Sequence, residues 1–166
     1  VLFGGYDHIA RSYLGDTWRW DGKDWSRLLA PGPAPRWCHG MATDPIRRRV
    51  VLFGGADRVQ YFTDTWEWDG RTWTQMTPPQ VPIGRLFPFF CWNPKTQRVA
   101  LLGGEFFGAY VVLLPCTEWD GSNWLAGFSA TYPPARYGHS MAFDGARTDF
   151  KLIGNFFVRQ ASDKRP

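Results

Sequence analysis

A period of about fifty residues governs this chain. Glycine pairs stand at Gly4-Gly5, Gly54-Gly55 and Gly103-Gly104, with a degraded copy at Gly154-Asn155, so successive steps are 50, 49 and 51 residues. An apolar run leads into each one: Val1-Leu2-Phe3, Val50-Val51-Leu52-Phe53, Val99-Ala100-Leu101-Leu102 and Phe150-Lys151-Leu152-Ile153. Short apolar runs closed by glycine suit strands buried on both faces. A unit repeated in this way stabilises itself by stacking on its neighbours, because it cannot bury its own faces alone. Such a repeat constrains architecture far more than it constrains activity.

Two further elements share the period. After each full glycine pair and a variable stretch comes a tryptophan block: Asp16-Thr17-Trp18-Arg19-Trp20-Asp21-Gly22-Lys23-Asp24-Trp25, then Asp64 to Trp73, then the worn Cys116 to Trp124. Trp18 and Trp20, like Trp66 and Trp68, sit two apart and share one face of a strand. Asp-Gly between aromatic runs is a hairpin signal. Before each glycine pair lies an arginine-led segment, starting at Arg36, Arg85 and Arg136 and ending in turn signals at Asp44-Pro45, Asn93-Pro94 and Asp144-Gly145. Each repeat therefore reads as four strands: a after the arginine, b into the glycines, c and d from the tryptophan block. The chain runs b-c-d, a-b-c-d, a-b-c-d, a-b.

These residues resemble kelch repeats, in the Trp-Asp-Gly style common in bacterial proteins of that family, which belongs with the central domain of galactose-oxidase-like proteins. The double glycine, the spaced aromatics and the arginine before strand a carry the likeness, which extends from Val1 to about Asn155. It implies an all-β chain, a β-propeller of four-stranded antiparallel blades around a channel, with about three blades' worth present. The expected units are a partial blade at 1–30, blades at 31–79 and 80–129, a partial blade at 130–155, and an off-pattern tail at 156–166. The strand order makes a piece of a larger propeller the expectation. Gly4, Gly5, Gly54, Gly55, Gly103, Gly104, Trp20, Trp25, Trp68, Trp73, Trp119 and Trp124 are read as its structural signature. Eight of the ten tryptophans fall in the repeated blocks, which marks them as packing residues; Trp37 and Trp92 stand outside and are open to stacking on a sugar.

Composition narrows the function by exclusion. The net charge of +4 comes largely from the a-b turns, Arg47-Arg48-Arg49 above all, and reads as a solvated surface rather than a nucleic-acid footprint, which would need a basic stripe with exposed stacking aromatics. No apolar run approaches the roughly 20 residues of a membrane span. Three cysteines cannot make a complete internal disulfide framework. Cys38 and Cys91 would be offset by about 13 Å along neighbouring strands, beyond disulfide reach, so free thiols are expected. His39 and His139 are repeat-equivalent, but two histidines in non-adjacent repeats, with His8 in a loop, fall short of the three or four ligands of a metal site. Gly103-Gly104-Glu105-Phe106-Phe107-Gly108 lacks the Gly-Lys-Ser/Thr ending of a phosphate loop. No cofactor and no metal are expected.

The candidate ligand site is one mouth of the channel. If strand a is innermost, as the kelch resemblance implies, Arg36, Arg85 and Arg136 ring that mouth with Trp37 and Tyr137, and the variable b-c loops reach the same end. Guanidiniums there would hold carboxylates or phosphates; the other reading is a repeated structural arginine bonding backbone carbonyls between blades. The expected function is a non-catalytic module recognising a protein or glycan. The alternative is a fragment of a kelch-type enzyme, galactose-oxidase-like or sialic-acid-mutarotase-like, with its active site partly outside this chain. Open propeller edges make self-association a third expectation. A secreted or cell-envelope location, within a larger exported protein, is the working assumption.

Overall fold

The computed structural model describes residues 1–106 and 116–127, together with the strand backbones of 140–144 and 149–153. Every regular element among them is a strand; none is a helix. The first sheet has the order β1 (Leu2–Asp7), β2 (Ser12–Trp20), β3 (Trp25–Leu28). The second is β4 (Gly40–Asp44), β5 (Arg49–Phe53), β6 (Thr65–Trp68), β7 (Trp73–Met76), and the third is β8 (Phe89–Asn93), β9 (Arg98–Leu102), β10 (Thr117–Trp119), β11 (Trp124–Ala126). A hairpin of β12 (Ser140–Asp144) and β13 (Asp149–Ile153) follows. All pairings are antiparallel between sequence neighbours. The strands thus fall in the order expected from the repeat.

Register repeats as faithfully as sequence. Trp20 faces Trp25, Trp68 faces Trp73 and Trp119 faces Trp124 across the c-d turn. The turns are four-residue loops rather than two-residue ones. In each, the aspartate carboxylate accepts two backbone N–H groups: Asp21 from Lys23 and Asp24, Asp69 from Arg71 and Thr72, Asp120 from Ser122 and Asn123. The following glycine takes a positive φ of 106°, 99° and 104°. Asp-Gly therefore makes the hairpin by a side-chain cap plus one left-handed residue.

The sheets stack face to face. Strand b is buried on both sides: Val51 and Phe53 join Val99, Leu101, Trp119 and Trp124 in one cluster, while Leu52 joins Phe3, Trp68 and Trp73 in the other. Each later sheet sets its outer tryptophan on the preceding one. Trp73 lies edge-on to Phe3 at 5.4 Å and donates its indole N–H to the Thr17 hydroxyl at 2.9 Å. Trp124 lies edge-on to Phe53 at 5.1 Å and donates to the Thr65 hydroxyl at 2.9 Å. The first strands of successive units, β4, β8 and β12, adjoin one another.

The glycine pairs join these sheets. In the first two pairs the second glycine donates its N–H across the junction, Gly5 to the Arg36 carbonyl and Gly55 to the Arg85 carbonyl, both at 2.9 Å. A Cβ on Gly4 or Gly54 would stand 2.7 or 2.9 Å from those same carbonyls. Close approach and positive φ together leave only glycine.

One group of signature residues departs from expectation. Trp68, Trp73, Trp119 and Trp124 are buried, whereas Trp20 and Trp25 are 46% and 51% exposed. They belong to the first sheet, and no described residue packs on the face they occupy as the first and second sheets pack under Trp73 and Trp124.

Candidate functional site

The arginine stations lie at the junctions. Arg36 precedes β4 and is completely buried. Its Nε donates to the Ala34 carbonyl at 3.0 Å and its Nη1 to the Gly54 carbonyl at 3.1 Å. Nη1 and Nη2 also grip Asp64 bidentately, at 2.6 and 2.9 Å, the geometry in which arginine binds carboxylate best. The guanidinium carbon lies 3.8 Å from the Phe62 ring centroid, a cation–π contact inside a desolvated site. Burial opposes ionisation of Asp64, yet the hydrogen bonds from Arg36 and from Trp66 Nε1, with the Arg36 charge, hold its carboxyl below the usual aspartate range.

Arg85 repeats half of this. Nε donates to the Ile83 carbonyl and Nη1 to the Gly103 carbonyl, both at 3.0 Å. Nη2 is buried and has no hydrogen-bond partner among the described residues. Counting back from the tryptophan shared by both blocks, Pro115 holds the place of Asp64. Burial pulls the Arg85 guanidinium down to about 10. Both guanidiniums are buried and bond backbone carbonyls of their own repeat, Ala34 and Gly54 for Arg36, Ile83 and Gly103 for Arg85. Arg136 and Tyr137 lie outside the described residues, as do His139 and the tail.

An aromatic row occupies the b-c end of the sheets. Tyr6 and Tyr13 are register partners on β1 and β2, with ring centroids 5.1 Å apart. Trp37 packs against both, at 5.9 and 6.4 Å, and Phe87 closes the row on Trp37 at 6.2 Å. His8 stands edge-on to Tyr6 at 5.0 Å. The row draws on three successive repeats, Tyr6 and Tyr13 from the first sheet and Trp37 and Phe87 from the segments that lead into β4 and β8. Its members are half-buried, and Phe87 is 39% exposed. Backbone geometry sets that exposure. Phe87 has φ of 48° and Cys38, two residues after its own arginine in the same way, has φ of 53°. L-residues adopt this region at a cost of about 1–2 kcal/mol. The Phe87 N–H meets the Cys38 carbonyl at 2.9 Å, and Trp37 exchanges hydrogen bonds with Ala56 in both directions, so the two strained turns are tied to each other and to the loop.

The remaining candidates are inward-facing. His39 packs edge-on to Phe3 at 5.7 Å, and burial together with the Arg36 charge lowers its imidazole to about 4. The three cysteines are free and half-buried; burial pushes Cys38 and Cys91 up to about 12 and Cys116 to about 11. Among the described residues no group of three or more His, Cys, Asp or Glu side chains converges as a metal site would require, and no helix is long and apolar enough to cross a membrane.

Of the residues singled out from sequence, Trp37 belongs to the row, and Arg36 and Arg85 are buried against their own repeats. Tyr6, Tyr13, Phe87, Asp64 and Phe62 were not singled out. One signal was present for Phe87: the fourth repeat has Gly138 at its offset from the arginine, which marks a left-handed position. No protein-family model matches the chain, and no curated protein matches it either.

Proposed function

We propose that this chain is part of a kelch-type β-propeller whose b-c end is a non-catalytic recognition surface for a protein or glycan. The carrying observation is the row Tyr6, Tyr13, Trp37 and Phe87, contributed by three successive repeats and held at one end by the junction hydrogen bonds. Aromatic faces of this kind stack on the apolar face of a sugar ring or on aliphatic and aromatic side chains, while Tyr hydroxyls and the Trp N–H remain available to polar groups. Left-handed backbone at Phe87 within the row and at Cys38 next to Trp37 fits a site where backbone conformation serves ligand contact. The b-c loops vary between repeats as binding loops on a rigid scaffold do.

The test is affinity electrophoresis of the chain against a panel of soluble polysaccharides, paired with a peptide array, each repeated with Trp37→Ala and Phe87→Gly. Retardation or capture that both substitutions abolish, with thermal stability kept, supports the reading. Binding that survives both substitutions, or no binding to either panel, removes it.

A further inference from the structure

Resting on the recognition surface above, we propose that the partner at the b-c end is a protein that lays a lysine or arginine side chain on the row of Tyr6, Tyr13, Trp37 and Phe87, with Glu105 as the counter-charge. Glu105 is tied to the row from two sides. It exchanges backbone hydrogen bonds with Leu86 in both directions at 2.8 Å, which sets it beside Phe87. Its chain neighbour Phe106 packs on Tyr61 at 5.7 Å, and Tyr61 is bridged through Ala56 to Trp37. The Glu105 side chain is half-buried, and no hydrogen-bond donor or cation among the described residues meets its carboxylate. Neighbouring carboxylates are already occupied. Asp7 and Asp57 each accept two backbone N–H groups of their own loops, at 2.7 to 2.9 Å, and Asp64 is held by Arg36. Glu105 therefore gives up hydration without gaining a partner, and the site is short of one cation. Its charge reaches the surroundings: after burial, it is Glu105 that raises the Cys38 thiol, to about 12, and the Tyr61 hydroxyl.

The rings suit a cation better than a sugar. Neighbouring members of the row are inclined to one another by 50° to 67°, so they do not form a flat platform for a sugar ring. Faces turned in several directions can each attract one ammonium or guanidinium through the ring quadrupole, and a carboxylate beside them adds a charge-assisted hydrogen bond. The loop tips favour a protein as the source of that cation. Ile9 and Val59 each stand four residues after the second glycine of a pair, in turns capped by Asp7 and Asp57, and are 97% and 89% exposed. Aliphatic side chains held out in this way gain by burial against other apolar side chains, which a protein carries and a glycan lacks. Arg11 and Arg58 are exposed cations of the same loops, and neither pairs with Glu105. The counter-charge is left to the partner.

The experiment is calorimetric titration of the chain with short leucine- and serine-containing peptides identical except at one central position, which is lysine, arginine, norleucine or glutamate. Norleucine keeps the apolar stem of lysine and removes the charge. The lysine and arginine peptides should bind about tenfold more tightly than the norleucine peptide, and the glutamate peptide more weakly still. Glu105→Gln, with thermal stability kept, should remove most of that preference, and Trp37→Ala should weaken every peptide. Equal binding of the lysine and norleucine peptides, lost in Trp37→Ala, overturns the cation and leaves the recognition surface standing. A lysine preference that Glu105→Gln leaves intact overturns the assignment of the counter-charge. Binding to soluble polysaccharides alone, or binding to phosphatidylserine vesicles that Ile9→Ser with Val59→Ser abolishes, overturns the protein partner. No response to any peptide, polysaccharide or vesicle removes the recognition surface and this proposal together.

Discussion

Arg36 and Arg85 occupy the same place in consecutive repeats, yet among the described residues only Arg36 has a counter-charge. Both use Nε and Nη1 on equivalent backbone carbonyls. Arg36 also has Asp64 across its outer edge and Phe62 beneath it, whereas the Nη2 of Arg85 has no hydrogen-bond partner among the described residues. The two backbone bonds are thus the shared function of the repeat position: the Nε bond closes the arginine's own turn, the Nη1 bond fastens it to the glycine pair of its own sheet, and the arginine carbonyl, at Arg36 and Arg85 alike, fastens it to the sheet before. The carboxylate is an addition. Among the described residues one junction is locked by charge and the other by backbone bonds alone, and the difference can be measured.

The largest effect is expected at Asp64. Asp64→Ala leaves a fully buried guanidinium without its counter-charge and Trp66 without its acceptor, and should cost about 3–5 kcal/mol in urea-induced unfolding. Arg36→Met combined with Asp64→Ala should recover a large part of that loss, since replacing both partners of a buried pair is far cheaper than removing one. A double mutant no more stable than Asp64→Ala alone would show that the bond to Trp66, rather than the ion pair, carries the cost.

Acid should separate the two junctions next. His39 follows Arg36 by three residues, and Pro88 stands at that offset from Arg85. The folded imidazole sits at about 4, below its ordinary 6.5. Between these values the unfolded chain binds the proton and the folded chain does not, so stability falls as pH drops from 6.5 to 4 and levels off below. The full loss is about 3 kcal/mol. Asp64 contributes separately, at lower pH, because its carboxyl lies below the usual range. His39→Phe should flatten the window above pH 4 and leave the lower one in place. Unchanged acid sensitivity in that variant would mean that the imidazole is not the group responsible.

Much of the architecture was legible in the chain because the repeat is tandem. Glycine pairs, Asp-Gly turns and alternating tryptophans each report local geometry, and their coincidence at one period fixes strand order. The site was less legible for a physical reason. A position that recurs once per repeat looks alike whether or not its partner recurs, so Arg36 and Arg85 read as one class until Asp64 is set against Pro115. The exposure of Phe87 comes from a left-handed backbone, which side-chain identity does not announce. Burial of Trp20 and Trp25 depends on a neighbouring sheet, and no property of the tryptophan block itself encodes whether that neighbour is there.

The smallest effect should come from Arg85. Arg85→Gln keeps an amide that can donate to one of the two carbonyls and removes a buried charge with no ion-pair partner among the described residues. The lost hydrogen bond costs about 1 kcal/mol, and relief of the uncompensated charge offsets it, since burial already disfavours the charged form. The net change should stay within about 1 kcal/mol. The same replacement at Arg36 strands Asp64 and should cost at least about 3 kcal/mol. Matched urea titrations of the two variants give the comparison directly. Equal losses at both positions would mean that the backbone bonds dominate and that the carboxylate adds little; a large loss at Arg85 alone would mean that its charge is neutralised by a group outside the described residues.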